Sequence, residues 1–424
     1  MSKVLIHSTP TQAVPAGWSV VQLKDILTRV AKPVVVDPSA EYREIGIRSH
    51  GKGVFHKPPI KAGALGDKRV FHVVPNALVL NIVFAWEQAV AVTSDQEVGM
   101  IASHRFPMYV PKGNLCDVDY LRYFFCTPRG KELLELASPG GAGRNKTLGQ
   151  SEFEKLRIAM PPAAEQQRLR EVFQTWDRAI VATEKRLANS SLQKKAVIEL
   201  FVSGKNRFHE NFGMWKKTTI GEIAAVLVSN VDKKTLSNER RILLCNYTDV
   251  YYNDRITANM KFMEATATEA QIEKFSLRRG DVVITKDSES VNDIGVAAYV
   301  HDEIDELVCG YHLAVIRPDL SQVNPVFLQA VFNLTASRNY FASTSNGVTR
   351  FGLPIGAIRE MPICIPSIEE QNKIAAMLST CTDDIRYLTQ DLAALKSQKK
   401  ELLSKLLSGR RRIKVANAET AARV

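Results

Sequence analysis

The sequence predicts an α+β chain. Two similar domains are separated by two long helices that pair as an antiparallel coiled coil, and the whole is an internal pseudo-two-fold duplication. Three observations predict this. Ser191–Phe208 (SLQKKAVIELFVSGKNRF) returns as Lys396–Ile413 (KSQKKELLSKLLSGRRRI), with Gln193-Lys194-Lys195 matching Gln398-Lys399-Lys400 and Ser203-Gly204 matching Ser408-Gly409, all at an offset of 205 residues. Each copy closes a long stretch free of Gly and Pro. Short β-branched runs with turn residues between them precede each copy, the pattern of a mixed sheet-and-helix domain. A period near half the chain is far too long for a solenoid.

The order of elements follows from this frame. Residues 1–160 form the first domain, 161–205 the first helix, 206–364 the second domain, 365–412 the second helix and 413–424 a basic tail. In the first domain the strand-like runs are VVVDPS, REIGIR, VFHVVPN, LVLNIVF and AVAVT, followed by a helical DYLRYFFCTPRGKELLELA and a Gly-rich loop, Gly140–Thr147. The second domain offers RRILLCN, DVVITKD, GVAAYV and HLAVIRPD, a helical PVFLQAVFNLTASRNYFA, and the loop Asn346–Gly352. Pro161 pairs with Pro366, and Glu165-Gln166 with Glu370-Gln371, at the same offset of 205. Further upstream the offset drifts, as loop insertions require: Pro111 pairs with Pro318, and Gly17-Trp18 resembles Gly213-Met214-Trp215.

The long helices carry an a/d heptad seam. In the second, Ile374, Leu378, Cys381, Ile385, Leu388, Leu392, Leu395, Lys399, Leu402 and Leu406 are spaced alternately by four and three residues. Earlier by 205 positions stand Leu169, Phe173, Trp176, Ile180, Thr183, Leu187, Ser190, Lys194, Val197 and Phe201. Two matched seams of this length predict paired helices, and the polar seam positions can fix register. At ~1.5 Å rise per residue each helix is roughly 57 Å long. Gly204 and Gly409 supply the expected C-terminal stop.

Composition narrows the function classes. The 424 residues are 45% hydrophobic and 24% charged, an ordinary globular balance that excludes wholesale disorder. No apolar run reaches the ~18 residues a membrane helix needs. The N-terminus lacks the order of a signal peptide, which places the chain in the cytoplasm. The six cysteines include no C-x-x-C pair, so neither a zinc ribbon nor a disulfide framework is expected. The formal charge of +11 divides as +6 over residues 1–160, +3 over 161–205, −2 over 206–364 and +4 over 365–424. Positive charge suits nucleic acid only where it clusters.

Two similar heads and two long helices match a ligand with two half-sites, and duplex DNA has that property. Here the residues carry a resemblance. Gly-Trp near each domain start, the GDVVIT-type strand, the S-H-R-F and Y-H-L segments, the Gly-rich loops, and PPAAEQQRL and IPSIEEQNKI entering helices that end KK…SG together resemble the DNA specificity subunit of Type I restriction–modification systems. The resemblance implies two target-recognition domains, each reading half of a bipartite asymmetric target in double-stranded DNA. It implies central helices that dock two methyltransferase subunits, which carry S-adenosylmethionine, and a restriction subunit that can join to cut DNA. The specificity subunit itself is implied to be non-catalytic and to hold no cofactor or metal.

A separate search for chemistry agrees. The Asn/Asp/Ser-Pro-Pro-aromatic run of adenine methyltransferases is absent, since the Pro-Pro sites read Lys57-Pro58-Pro59-Ile60 and Met160-Pro161-Pro162-Ala163. Gly140–Thr147 has the spacing of a phosphate loop, but Asn145 stands where glycine is needed and a helical pattern precedes it. The eight histidines show no metal-ligand spacing.

The candidate DNA contacts are polar residues at strand ends and in the glycine loops. Arg144, Lys146 and Arg350 suit phosphate, where charge supplies affinity without sequence information. Base edges are read by Arg, Asn, Gln and smaller polar groups. In the first domain the candidates are Arg48, Ser49, His50 and Lys52, Trp86 and Glu87, and His104 and Arg105. In the second they are Asn246, Tyr247 and Thr248, Lys286, Asp287 and Ser288, and Tyr311 and His312. The basic run Arg410-Arg411-Arg412 suits either nucleic acid or the negative end of a helix.

Overall fold

Two proline-marked entries, at Pro161-Pro162 and Pro366, launch the long helices Ala163–Val197 and Ile368–Leu407 in a computed structural model that describes residues 14–140, 146–208 and 212–413. The first helix continues through one wider turn, Ile198–Val202, and Gly204 and Gly409 follow the helices with φ of +73° and +69°. These left-handed conformations suit glycine, which has no Cβ to clash. The chain divides into two compact units. One holds residues 1–182 with 392–424, the other residues 183–391. Both boundaries fall inside the long helices, so each unit contains a part of each.

In the first unit the head is closed by its own ends: Ser19–Gln22 pairs antiparallel with Arg157–Met160. Between them lies a four-stranded antiparallel sheet in the order Leu27–Val30, Met108–Pro111, Leu78–Leu80, Val90–Val92. Helices Val118–Phe125 and Pro128–Leu136 cover it. The sequence suggests one helical stretch here. It is split because Thr127 caps a new helix, its hydroxyl accepting from the Gly130 N–H at 3.1 Å, with Pro128 at the first helical position. VVVDPS is not a strand: Pro33 makes a single bridge to Phe71, Val35 is 93% exposed, and Asp37 turns the chain by accepting from the Ser39 N–H. β-branched content alone does not make a strand where no partner edge is free.

The core of this unit joins Leu23, Tyr120, Phe125 and Phe153 of the head to Leu169, Phe173, Leu406 and Leu407 of the long helices. The Tyr123 and Phe173 rings meet at 4.9 Å. Glu165, almost fully buried, accepts a two-armed contact from Arg412 at 2.8 and 2.6 Å, and the Arg412 guanidinium lies over Trp18. Gln166 accepts from the Asp117 N–H and donates to the Pro161 carbonyl, both at 2.9 Å. Asp177 pairs with Lys399 and accepts from Tyr123 Oη. Burial works to raise the Asp177 pKa, but Lys399, Tyr123 and Arg122 together hold it below the usual carboxylate value. Partners of rising number on one helix segment thus meet falling numbers on the other.

In the second unit Lys216–Thr219 pairs antiparallel with Pro362–Ile365. A five-stranded sheet runs Ala224–Val228, Leu313–Pro318, Val282–Thr285, Ala297–Val300, Arg255–Ile256. A three-stranded sheet runs Met263–Ala267, Arg240–Cys245, Leu307–Cys309. Phe327, Phe332 and Phe341 pack with Ile198, Val202, Ile374 and Leu378 of the long helices. Glu370 is buried and receives Arg207 at 3.1 and 2.7 Å and the Trp215 indole N–H at 3.2 Å. Gln371 accepts from the Asn324 N–H and donates to the carbonyls of Gln322 and Pro366.

Along the helices Leu169, Phe173, Ile374, Leu378, Leu388 and Leu406 are buried. Trp176, Ile180, Leu187, Val197, Phe201, Ile385, Leu392, Leu395 and Leu402 are half-buried. All six cysteines are free thiols. Among the described residues no helix is long and apolar enough to cross a membrane.

Removing the Phe173 ring leaves a cavity lined by Tyr123 and its neighbours, so Phe173→Ala should lower stability by about 3–5 kcal/mol. Val181→Ala, on the exposed face of the same helix, should change it by less than about 0.5 kcal/mol. Chemical denaturation followed by tryptophan fluorescence checks both.

Candidate functional site

In the first unit, the hairpin of Ile45–Ile47 and Val54–His56 projects a tip, residues 48–53. The Arg48 N–H closes the tip on the Gly53 carbonyl at 3.0 Å. His50 takes a left-handed conformation, φ +60°, and its N–H reaches the Glu87 carbonyl at 2.8 Å. Ser49 Oγ donates to Glu87 Oε2 at 3.0 Å, and the Gly51 N–H donates to the Gln88 carbonyl. Two candidate groups distant in sequence, 48–52 and 86–87, therefore form one patch. Trp86 bonds the Val83 carbonyl, and Lys146 Nζ sits 5.4 Å from its ring. The Ile82 N–H reaches the Arg105 carbonyl, and the Leu148 N–H reaches the Ile82 carbonyl. Arg48, Lys52, His104 and Arg105 are exposed, with the Arg48 guanidinium 5.0 Å over Phe55. Arg144 lies outside the described residues. Gln88 escaped the sequence reading. Its left-handed backbone and its bonds to the Phe125 and Thr127 carbonyls anchor the patch to the helices beneath.

In the second unit the candidates converge more tightly. Val282–Thr285 leads into Lys286, Asp287 and Ser288, and Asp287–Ser288 pairs antiparallel with Phe351–Gly352. The second glycine loop is thereby fastened beside the strand end. Asp287 is the hub: Lys286 Nζ is 2.8 Å from Oδ2, and His312 Nδ1 is 3.3 Å from the same oxygen. The Tyr311 and His312 rings lie 3.6 Å apart. Tyr247 Oη reaches Ser288 Oγ at 3.4 Å and stacks on Tyr251, which donates to Asp293 at 2.9 Å. Thr248 is exposed. Asn246 opens the helix Tyr247–Tyr251: its N–H reaches Asp249 at 2.7 Å, and its side-chain amide donates to the Leu244 carbonyl at 3.4 Å. Tyr251 and Asp293 were missed, although the four-residue Tyr247/Tyr251 spacing was a readable signal.

His312 titrates below the ordinary histidine value. Burial is the main cause and Arg350 and Lys233 add to it, against an opposing pull from Asp287. Among the described residues no group of acidic, histidine or cysteine side chains could hold a metal ion. The basic run at the end of the second helix is divided: Arg412 is committed to Glu165, while Arg410 and Arg411 are exposed.

Residues 213–397 match the family model for the Type I restriction modification DNA specificity domain. An archaeal protein assigned as the type I restriction enzyme MjaX specificity subunit of Methanocaldococcus jannaschii is 20% identical over 428 residues, covering 95% of each chain. The chain is thus similar to Type I restriction–modification specificity subunits along its length. Its fold is that of such subunits. The S subunit of a Type I system from M. genitalium superposes with a TM-score of 0.59 at 12% identity, over 94% of this chain and 97% of that one. A chain from a structure of complex assembly and conformational transition of the type I R-M system gives a TM-score of 0.56 at 15% identity, over 93% and 99%.

The His312 shift has a definite sign. Because its folded pKa is lowered, the unfolded chain binds the proton first as pH falls. Folding therefore loses stability from about pH 6.5 downward, the ordinary histidine value. Ring-proton NMR should show His312 titrating below that value, and Asp287→Asn should move it lower still, because the carboxylate that favours the imidazolium is gone. A His312 that titrates higher in the variant contradicts the arrangement.

Proposed function

We propose that this chain is a specificity subunit that reads a bipartite, asymmetric target in double-stranded DNA, one half-site per unit. On this reading it carries no catalytic residue. Methylation belongs to two methyltransferase subunits docked on the long helices, which bring S-adenosylmethionine, and cleavage to a restriction subunit where one joins.

The observation that carries this reading is a repeated frame with unlike loops. Trp18, Glu165, Gln166 and Arg412 in one unit correspond to Trp215, Glu370, Gln371 and Arg207 in the other, and each carboxylate receives its arginine through two nitrogens. Glu165 and Glu370, like Arg207 and Arg412, are 205 residues apart, the offset of the sequence repeat. The reversed order of partners along the helix segments and the burial of the seam support an antiparallel coiled coil and an internal duplication. The loops on this common frame differ: Ser49, Glu87, Trp86 and Lys146 in one unit, Asp287, His312, Tyr247 and Arg350 in the other. An asymmetric two-part target needs equal scaffolds and unequal readers.

Arg178 and Lys185 on the first helix, with Asp384 and Gln390 on the second, are exposed and open to partner subunits. The loop clusters mix both charge signs, and the second domain has a net −2. Affinity for the phosphate backbone then comes either from lysines and arginines gathered on one face of that domain or from partner subunits.

Methylome sequencing of a host that expresses this chain with its methyltransferase partner tests the reading. The expected result is modification within two short sequence blocks separated by unread base pairs. Modification at one contiguous block, or without sequence preference, contradicts it.

A further inference from the structure

The sequence alone casts Arg350 as a mobile cation for phosphate. The structure gives it a different setting. Its loop is closed by reciprocal backbone hydrogen bonds between Asn346 and Gly352, both 2.9 Å, and the Leu353 N–H fixes the exit on the Lys286 carbonyl at 3.0 Å. Gly347, at φ +129°, makes the turn, and a Cβ there would strike the Arg350 carbonyl. The guanidinium is held too. One nitrogen lies 3.3 Å from His312 Nδ1 and 3.2 Å from Nε2, so it rests against the imidazole ring. That ring is braced by Tyr311 on one side and by Asp287, itself held by Lys286, on the other. Arg350 nevertheless remains exposed.

A phosphate contact needs only charge, which a freely moving side chain supplies. Restraining a long side chain on a ring costs conformational freedom and is repaid where direction matters. A planar donor fork on an exposed side chain matches the paired acceptors O6 and N7 of guanine in the major groove. We propose that Arg350 determines specificity by reading a guanine in the half-site of the second unit. This rests on the DNA-reading function proposed above.

The test uses the assembled complex with its methyltransferase subunits and a library randomised over the half-site assigned to the second unit. Arg350→Lys keeps the charge and loses the fork, so guanine preference at one position should fall at least about tenfold. Arg350→Gln should move that preference toward adenine. The first half-site should be unchanged in both, which also shows that the variants fold. A wild-type complex that selects a bipartite target, with Arg350→Lys leaving the pattern intact, overturns this inference alone. Arg350→Ala weakening every sequence equally marks a phosphate contact and also overturns it. A wild-type complex with no sequence preference overturns the function and this inference together.

Discussion

Two buried carboxylates govern the architecture. Glu165 and Glu370 stand near the starts of the long helices with almost no exposure. A charge in that position is tolerated only with a partner, because loss of hydration costs several kcal/mol when nothing replaces it. Arg412 and Arg207 are those partners, and each arrives from the region just beyond the end of the other long helix. A head therefore cannot complete its core from its own residues. Residues 392–413 are part of the first unit, although more than half the chain separates them from its head. The basic run at the end of the second helix is accordingly not a free tail where it is described. The indole N–H of Trp215 satisfies Glu370 further, whereas that of Trp18 finds no hydrogen-bond partner among the described residues and contributes its ring to Arg412.

Given such a frame, the loops are free to diverge. Gln166 and Gln371 accept hydrogen bonds from the backbone N–H groups of Asp117 and Asn324, which ties each helix start to its head. The loops that carry the candidate contacts leave strand ends, and Phe351 of the second packs against the core. The first cluster is built on a hairpin tip bound to Glu87, the second on a carboxylate, Asp287, that gathers a lysine and a histidine. Unlike readers on like frames give the chain its proposed use.

Much of the frame was legible in the sequence because it repeats. The heptad spacing, the Glu-Gln pair after each proline and the Ser-Gly stop are local signals that recur at one offset, so each copy supports the other. VVVDPS was illegible for the opposite reason: a strand needs an edge to pair with, and no single-sequence pattern reports whether one is free. At the site, which distant loops meet was hidden. Asn246 has the chemistry of a base reader and also ties its side chain to the Leu244 carbonyl. Arg350 has the chemistry of a phosphate contact and is restrained on His312. Residue type suggested the candidates, and hydrogen-bond partners sorted them.

On the proposed function, like frames carry independent readers. The most direct measurement is to exchange residues 206–364 for the corresponding domain of a Type I specificity subunit. The modified sequence would then be determined for the complex with its methyltransferase partner. The expected result is a hybrid target in which one half-site is replaced and the other is untouched. A change in both half-sites would contradict it.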